Sequence, residues 1–232
     1  MTTLSQSDAQ FLADHSRHDP DFFWQSILGC TSVYNKQLEM ARAVRDHNRV
    51  AVVGANGTGK DWQSARVMLW WMATRSPAIC VVLGPTHRQV SDIVWKEARS
   101  AYLTARMPLG GQMYRTARWE YDDRRYAVGF STDNEYNIQG FHSPNLLVIL
   151  TEAHNIEQSH IDAVKRLNPA RMLLTGNAFA SSGEFYDAFH GGSELYHCIE
   201  IAAGDTPNIQ QNREVIPGMV TTQQIAAPGV GH

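Results

Sequence analysis

Long apolar runs, cysteines and surplus charge are all scarce in this 232-residue sequence, and each scarcity excludes something. No stretch approaches the ~20 apolar residues that a membrane-crossing helix needs. The opening MTTLSQSDAQFLADHS lacks the basic-then-apolar order of a secretory signal, so no membrane partner is expected. Cys30, Cys80 and Cys198 are odd in number and far apart. That argues against a disulfide framework or a zinc knuckle and for reduced thiols in an intracellular setting. Ten histidines are present, but only His15 and His18 recur at helical spacing, and no metal-ligand set emerges. The formal net charge is −3. A protein that coats DNA regardless of sequence is normally basic, so any nucleic-acid contact has to be local or shared among subunits. With 43% hydrophobic residues the chain can build one full α/β domain, and it is too short for two large ones.

Four short apolar runs closed by turn residues read as buried strands: Val50–Val53, Ile79–Leu83, Leu146–Leu150 and Met172–Leu174. Tyr196–Ile201 is a weaker fifth. Helical patterns lie between them, over Asp61–Thr74, Thr86–Ala105 and Ile156–Leu167. The first is apolar almost all round (Val67, Met68, Leu69, Trp70, Trp71, Met72) and is expected to be sandwiched inside the protein. Alternating strands and helices imply a mostly parallel sheet covered on both faces. Gly110–Ser131 breaks the alternation. Its near-alternate aromatic and charged residues predict an inserted antiparallel hairpin with Asp122–Asp123 at the turn. Residues 1–33 read as a helical lead-in to a domain spanning 1–216, and 217–232, rich in Gly, Pro, Thr and Gln, as a flexible tail.

The strongest signal is Gly54-Ala55-Asn56-Gly57-Thr58-Gly59-Lys60-Asp61, followed by Trp62, between a strand and a helix. This is the Walker A context. Loop N–H groups and the helix N-terminus cradle phosphates, the glycines allow a tight turn, and Lys60 neutralises the outer phosphates. The pattern departs at its last position, where Asp61 replaces the Ser or Thr whose hydroxyl holds Mg²⁺. The second signal, Leu146–Leu150 running into Thr151-Glu152-Ala153-His154, is a Walker B-like acidic strand end. Glu152 is placed to polarise an attacking water. Thr151 stands where a metal-supporting Asp is usual. Hydroxyl and carboxylate have either exchanged places around one Mg²⁺, or been lost independently, leaving a nucleotide-binding but inactive domain.

Further residues fall in a recognisable order. Tyr34-Asn35-Lys36-Gln37-Leu38-Glu39 leads towards the phosphate loop. Then come Trp70-Trp71, Gly84-Pro85-Thr86-His87-Arg88-Gln89-Val90, Gln139-Gly140-Phe141-His142, the acidic strand, and Leu174-Thr175-Gly176-Asn177. Over roughly residues 22–210 this resembles the ATPase domain of the large terminase subunit of tailed bacteriophages, the motor that packages DNA into the procapsid. The resemblance implies a phosphate-loop NTPase of the RecA-like, ASCE type that uses ATP and Mg²⁺. It implies adenine recognition by Gln37, phosphate binding by Gly54–Gly59 and Lys60, metal positions at Asp61 and Thr151, and catalysis by Glu152. Thr175, Gly176 and Asn177 would sense the γ-phosphate and couple hydrolysis to movement. The implied partners are double-stranded DNA, further copies in a ring on a portal protein, and a small terminase subunit, in the host cytoplasm.

Two departures qualify the resemblance. Asn56 stands where many large terminases carry an arginine, so a neutralising arginine is expected from elsewhere; Arg88, Arg118, Arg124 and Arg125 are the candidates. After Asp205 the only acid is Glu214, so a two-metal nuclease is not expected in this chain, whether it is a truncated or a separate motor domain. Two alternatives stand beside the motor. One is a helicase-like ATPase, since Thr151-Glu152-Ala153-His154 differs from a DEAH box at one position. The other is a non-hydrolysing nucleotide-binding scaffold.

Overall fold

A computed structural model describes residues 6–132, 138–179, 181–191 and 194–226. Eight strands form one sheet: β1 (Arg49–Gly54), β2 (Ala78–Gly84), β3 (Gln112–Met113), β4 (Arg118–Asp122), β5 (Arg125–Ser131), β6 (Leu146–Leu150), β7 (Arg171–Gly176) and β8 (His197–Ile201). Their order is β3-β4-β5-β2-β6-β7-β1-β8. All five expected strands are present, and β5, β2, β6, β7, β1 and β8 run parallel. The hairpin turns after Asp122 as expected, with β4 antiparallel to β5. Its second strand is more than an insertion, however, because β5 pairs along the whole of β2 and extends the parallel core. Alternation in the sequence reported the antiparallel partner; it carries no information on which third strand the pair joins.

Every residue of β2 and β6 is buried, as strands covered on both faces must be. Alternate side chains serve two apolar layers. Val50, Cys80, Val82, Leu147 and Ile149 meet helices α3 (Asn35–Asp46), α4 (Lys60–Thr74) and α5 (Trp95–Thr104) on one face. Ile79, Val81, Val148 and Leu174 meet α6 (Gln158–Arg166) and α7 (Glu184–Phe189) on the other. Helix α4 is enclosed all round, with Val67, Met68, Leu69, Trp70 and Met72 fully buried, each contributing about 1.5–3 kcal/mol of burial. The lead-in contributes α1 (Gln6–His18), α2 (Pro20–Phe22) and a π-turn over Phe23–Ile27; residues 1–5 lie outside the described residues. The Ser16 carbonyl accepts the Trp70 indole N–H at 2.7 Å and so ties α1 to α4.

The helix expected over Thr86–Ala105 opens differently. Gln89–Val94 is a π-turn before α5 begins. The widened turn drives Val90 onto the sheet, where a Cβ added at Gly129 would lie 2.6 Å from Val90 Cγ1. Only a glycine there admits the wedge. Single π-turns often mark functional positions, and this one aims Gln89 at Asp61 in the first turn of α4.

Across the other face, Glu184 anchors α7. Its carboxylate accepts from Lys165 Nζ at 2.8 Å, Gln158 Nε2 at 3.0 Å and the Tyr196 hydroxyl at 2.7 Å. Burial pushes this carboxyl up, but the bonds from Lys165, Tyr196 and Gln158 outweigh it and the net shift is downward. A carboxylate whose folded pKa lies below its unfolded value stabilises fully above the unfolded value and loses that contribution as pH falls through the folded one. Glu184→Ala is therefore expected to cost roughly 1–3 kcal/mol at neutral pH, with the gap from the parent closing in acid. Thermal unfolding from pH 7 down to pH 3 measures it, and a pH-independent gap would refute the assignment.

The segment after Pro217, expected as a flexible tail, makes specific contacts as far as Ala226. Met219 is buried, Val220 N–H donates to the Gly57 carbonyl at 3.0 Å, and Thr222–Ala226 form a short helix, α9. Composition suggested mobility because it registers Gly and Pro but not a single buried Met. Residues 227–232 of that expected tail lie outside the described residues.

Candidate nucleotide-binding site

The loops leaving the C-terminal ends of β1, β2, β6 and β7 gather at one edge of the parallel sheet. The first, Gly54–Gly59, turns β1 into α4. Gly57 and Gly59 hold φ of +73° and +83°, a region that costs an L residue roughly 1–2 kcal/mol, so the glycine spacing serves the turn. Thr58 is fully buried and donates its hydroxyl to the Ala55 carbonyl at 2.9 Å. Behind the loop, the Tyr34 hydroxyl donates to the Thr58 carbonyl at 2.8 Å. The resemblance assigns that tyrosine no role.

Lys60 Nζ donates to the Gly54 carbonyl (2.8 Å), the Ala55 carbonyl (3.0 Å) and Asn177 Oδ1 (2.7 Å). All three ammonium protons are engaged in a buried place. Burial pushes the Lys60 pKa down, and the Glu152 and Asp61 carboxylates oppose it. Asn177 reaches further, donating Nδ2 to Asn56 Oδ1 at 3.0 Å.

Asp61 and Thr151 meet. Thr151 Oγ1 donates to Asp61 Oδ1 at 2.7 Å, and Gln89 Nε2 lies 3.3 Å from each Asp61 oxygen. Burial pushes the Asp61 carboxyl up, opposed by the Thr151 bond, the charge of Lys60 and the Gln89 bond. A carboxylate and a hydroxyl are the hard oxygen donors that suit Mg²⁺. Among the described residues no three His, Cys, Asp or Glu gather as a self-sufficient metal site. A cation here would need further oxygens, such as those of phosphates.

Glu152 sits at φ 52°, ψ 43°. A non-glycine residue held in this region stores about 1 kcal/mol or more, and such outliers cluster at working sites. Burial, then the Asp61 charge, push its carboxyl up, against Lys60. His154 Nδ1 lies 3.4 Å from Glu152 Oε2 and accepts the Asn177 backbone N–H at 3.2 Å. Burial, then Lys60, push the His154 pKa down. An Nδ1 that accepts a hydrogen bond carries no proton of its own, so the contact with Glu152 is proximity and not an ion pair.

Gln37 is buried, its Oε1 accepting the Tyr34 backbone N–H at 3.3 Å, with Nε2 left beside Gly59. A cavity of about 600 Å³ opens over these groups; Gln37, Lys60, Asp61, Trp62 and Glu152 are on its wall. The expected site residues thus converge, with one exception. Thr175 lies buried within β7 opposite Val52, and Gly176 closes the strand, so of that motif Asn177 alone reaches the loop. Tyr34, Gln89 and His154 had no role from sequence; the first two act through contacts made across the fold.

Of the four arginine candidates, Arg125 is spent on the Met72 and Ala73 carbonyls and Arg118 on Glu120. Arg124 is exposed in the hairpin turn, at the strand end away from the loop. Arg88 is exposed on the same edge as the loop, next to Gln89.

A glycine loop between the first parallel strand and its helix, with a buried lysine and an acidic residue ending a nearby strand, defines an α/β phosphate-loop NTPase fold. Its likeness is more particular still. No family model matches the sequence, and no curated protein does. Solved structures do match. The ATPase domain of the Thermus phage P74-26 large terminase aligns with TM-score 0.65 at 18% identity, over 87% of this chain and 94% of that one. The bacteriophage HK97 large terminase aligns with TM-score 0.59 at 15% identity, over 84% of this chain and 46% of that one. The large terminase of a thermophilic bacteriophage, in complex with ADP, aligns with TM-score 0.57 at 14% identity, over 78% and 49%. The chain spans about half the length of these last two proteins. It has the fold of a phage large-terminase ATPase domain. No helix among the described residues is long and apolar enough to cross a membrane.

Proposed function

We propose that this chain is an ATPase motor domain that couples ATP hydrolysis to the translocation of double-stranded DNA in phage packaging. The observation that carries this is the meeting of Lys60, the Asp61–Thr151 pair, Glu152 and Asn177 around the phosphate loop, on a large-terminase ATPase fold. ATP seats its phosphates on the loop N–H groups and Lys60, with its base towards Gln37. Glu152 orients water and takes its proton. Asp61 and Thr151 would hold Mg²⁺, which would supply positive charge against the phosphate oxygens. DNA, a ring of copies on a portal protein and a small terminase subunit complete the reading. Steady-state ATP hydrolysis with and without duplex DNA tests it; no turnover under either condition would sink it.

The Asp61–Thr151 bond favours exchange over two independent losses, because unrelated losses would not need the two side chains to meet. Thr151→Asp then crowds two carboxylates and is expected to weaken Mg²⁺-ATP use about tenfold, the scale of a disturbed metal site. The Asp61→Thr, Thr151→Asp double variant recovers part of the loss. Measurement is the Mg²⁺ dependence of KM for ATP, and a large gain from Thr151→Asp alone overturns the exchange.

Taking up phosphate costs Lys60 at least one of its three partners, and in this reading that partner is Asn177, whose side chain also holds Asn56 and whose backbone N–H donates to His154. Arrival of the nucleotide therefore frees the side chain that follows β7. Asn177→Asp turns that hold into an ion pair. KM for ATP is expected to rise at least about tenfold, the worth of strengthening one hydrogen bond by charge. An unchanged KM counts against the exchange of partners at Lys60.

A further inference from the structure

Ile216–Met219 line the cavity over the phosphate loop, and one buried side chain holds that segment there. Asn208, in the short helix α8 (Pro207–Gln210), is 1% exposed. Its Oδ1 accepts the backbone N–H groups of Val215 and Ile216, both at 2.8 Å, and its Nδ2 donates to the carbonyls of Ile216 (3.0 Å) and Met219 (3.3 Å). Two donors and two acceptors are all that an asparagine amide has, so its whole hydrogen-bonding capacity is spent on this segment. The far end is tied to the phosphate loop by Val220 N–H on the Gly57 carbonyl at 3.0 Å. A Cβ at Gly57 would lie 3.0 Å from Val220 N. The loop and the segment are thus fitted to each other.

This segment has a place in the cavity's anatomy. Lys60, Asp61 and Glu152 mark the phosphate end. Gly29–Ser32, Gln37 and Ile216–Met219 line the remaining space together with Arg66 of α4 and Glu97 and Ala101 of α5. Met219 is buried against Gly59, its Cε 3.4 Å from where a Cβ would stand. A nucleoside directed from the loop towards Gln37 runs beside Met219, since both side chains border Gly59. Val220 also faces a second cavity, of about 370 Å³, shared with Asn177.

We infer that Ile216–Val220 is a strap forming the nucleoside-side wall of the pocket, and that Asn208 is the positioning residue that holds it. Preference for a nucleoside triphosphate over bare polyphosphate then runs through a residue that belongs to neither the phosphate loop nor the acidic strand end. The inference rests on the triphosphate reading of the site.

Calorimetric titration of the full chain with Mg²⁺-ATP and, separately, with Mg²⁺-tripolyphosphate tests it. In Asn208→Ala the affinity for ATP is expected to fall about tenfold, while that for tripolyphosphate stays within about twofold. Asn208→Asp keeps the two acceptor bonds and restores part of the ATP affinity. Met219→Ala trims the wall and leaves the staple, and it decides the matter if Asn208→Ala does not fold; the same selective loss is expected. Parallel loss of both ligands, or loss of neither, overturns the strap alone. A parent that binds neither ligand overturns the triphosphate reading and the strap with it.

Discussion

Glu152→Gln is expected to lower kcat for ATP hydrolysis by about 10²–10⁴-fold, the range for losing a positioned general base, with ATP affinity changed only a few-fold. The amide keeps the shape of the carboxylate and its left-handed backbone, so geometry is preserved and only proton acceptance is lost. Burial and Asp61 raise the parent carboxyl, which strengthens it as a base. Its ammonium neighbour, Lys60, opposes that rise. Parallel measurements of steady-state hydrolysis and equilibrium ATP binding separate the two effects. A kcat within about threefold of the parent would remove Glu152 from the chemistry, whereas nucleotide binding without turnover, unchanged by Glu152→Gln, would favour the non-hydrolysing scaffold.

Lys60→Ala is expected to abolish detectable ATP binding at ordinary concentrations, a loss of about 100-fold or more. Each charge-assisted hydrogen bond to phosphate is worth roughly 1.5–3 kcal/mol, and Lys60 has three protons to offer. The free protein feels the change as well. The Gly54 and Ala55 carbonyls and Asn177 Oδ1 lose their shared donor. Asp61 and Glu152 lose the cation that offsets their burial and mutual repulsion. Binding of a fluorescent ATP analogue, with a melting curve to account for any unfolding, measures both consequences. Retained hydrolysis would displace the phosphate from this loop altogether.

The extent to which the site was legible varies by element. Gly54–Lys60 could be read because turn geometry and phosphate chemistry are local, confined to consecutive residues. Glu152 could be read because an apolar strand with an acid at its end is also a local pattern. The meeting of Asp61 and Thr151 was arguable only from two complementary departures, and the fold places them 2.7 Å apart. Gln89 was in view without a role, since a π-turn is what aims it at Asp61. Asn208 looked like any polar loop residue, and Met219 like part of a mobile tail. Burial is a property of what surrounds a residue, and their surroundings lie far away along the chain.

By itself the amino-acid order determined the strands, the enclosed helix, the phosphate loop and the acid, because periodicity and turn chemistry act over a few residues. Tertiary structure alone decided that the hairpin's second strand extends the parallel core, that Lys60 rests on Asn177, and that the C-terminal segment closes over the loop. Those outcomes depend on contacts between distant segments, and hydrophobic pattern specifies which face is buried without specifying against what.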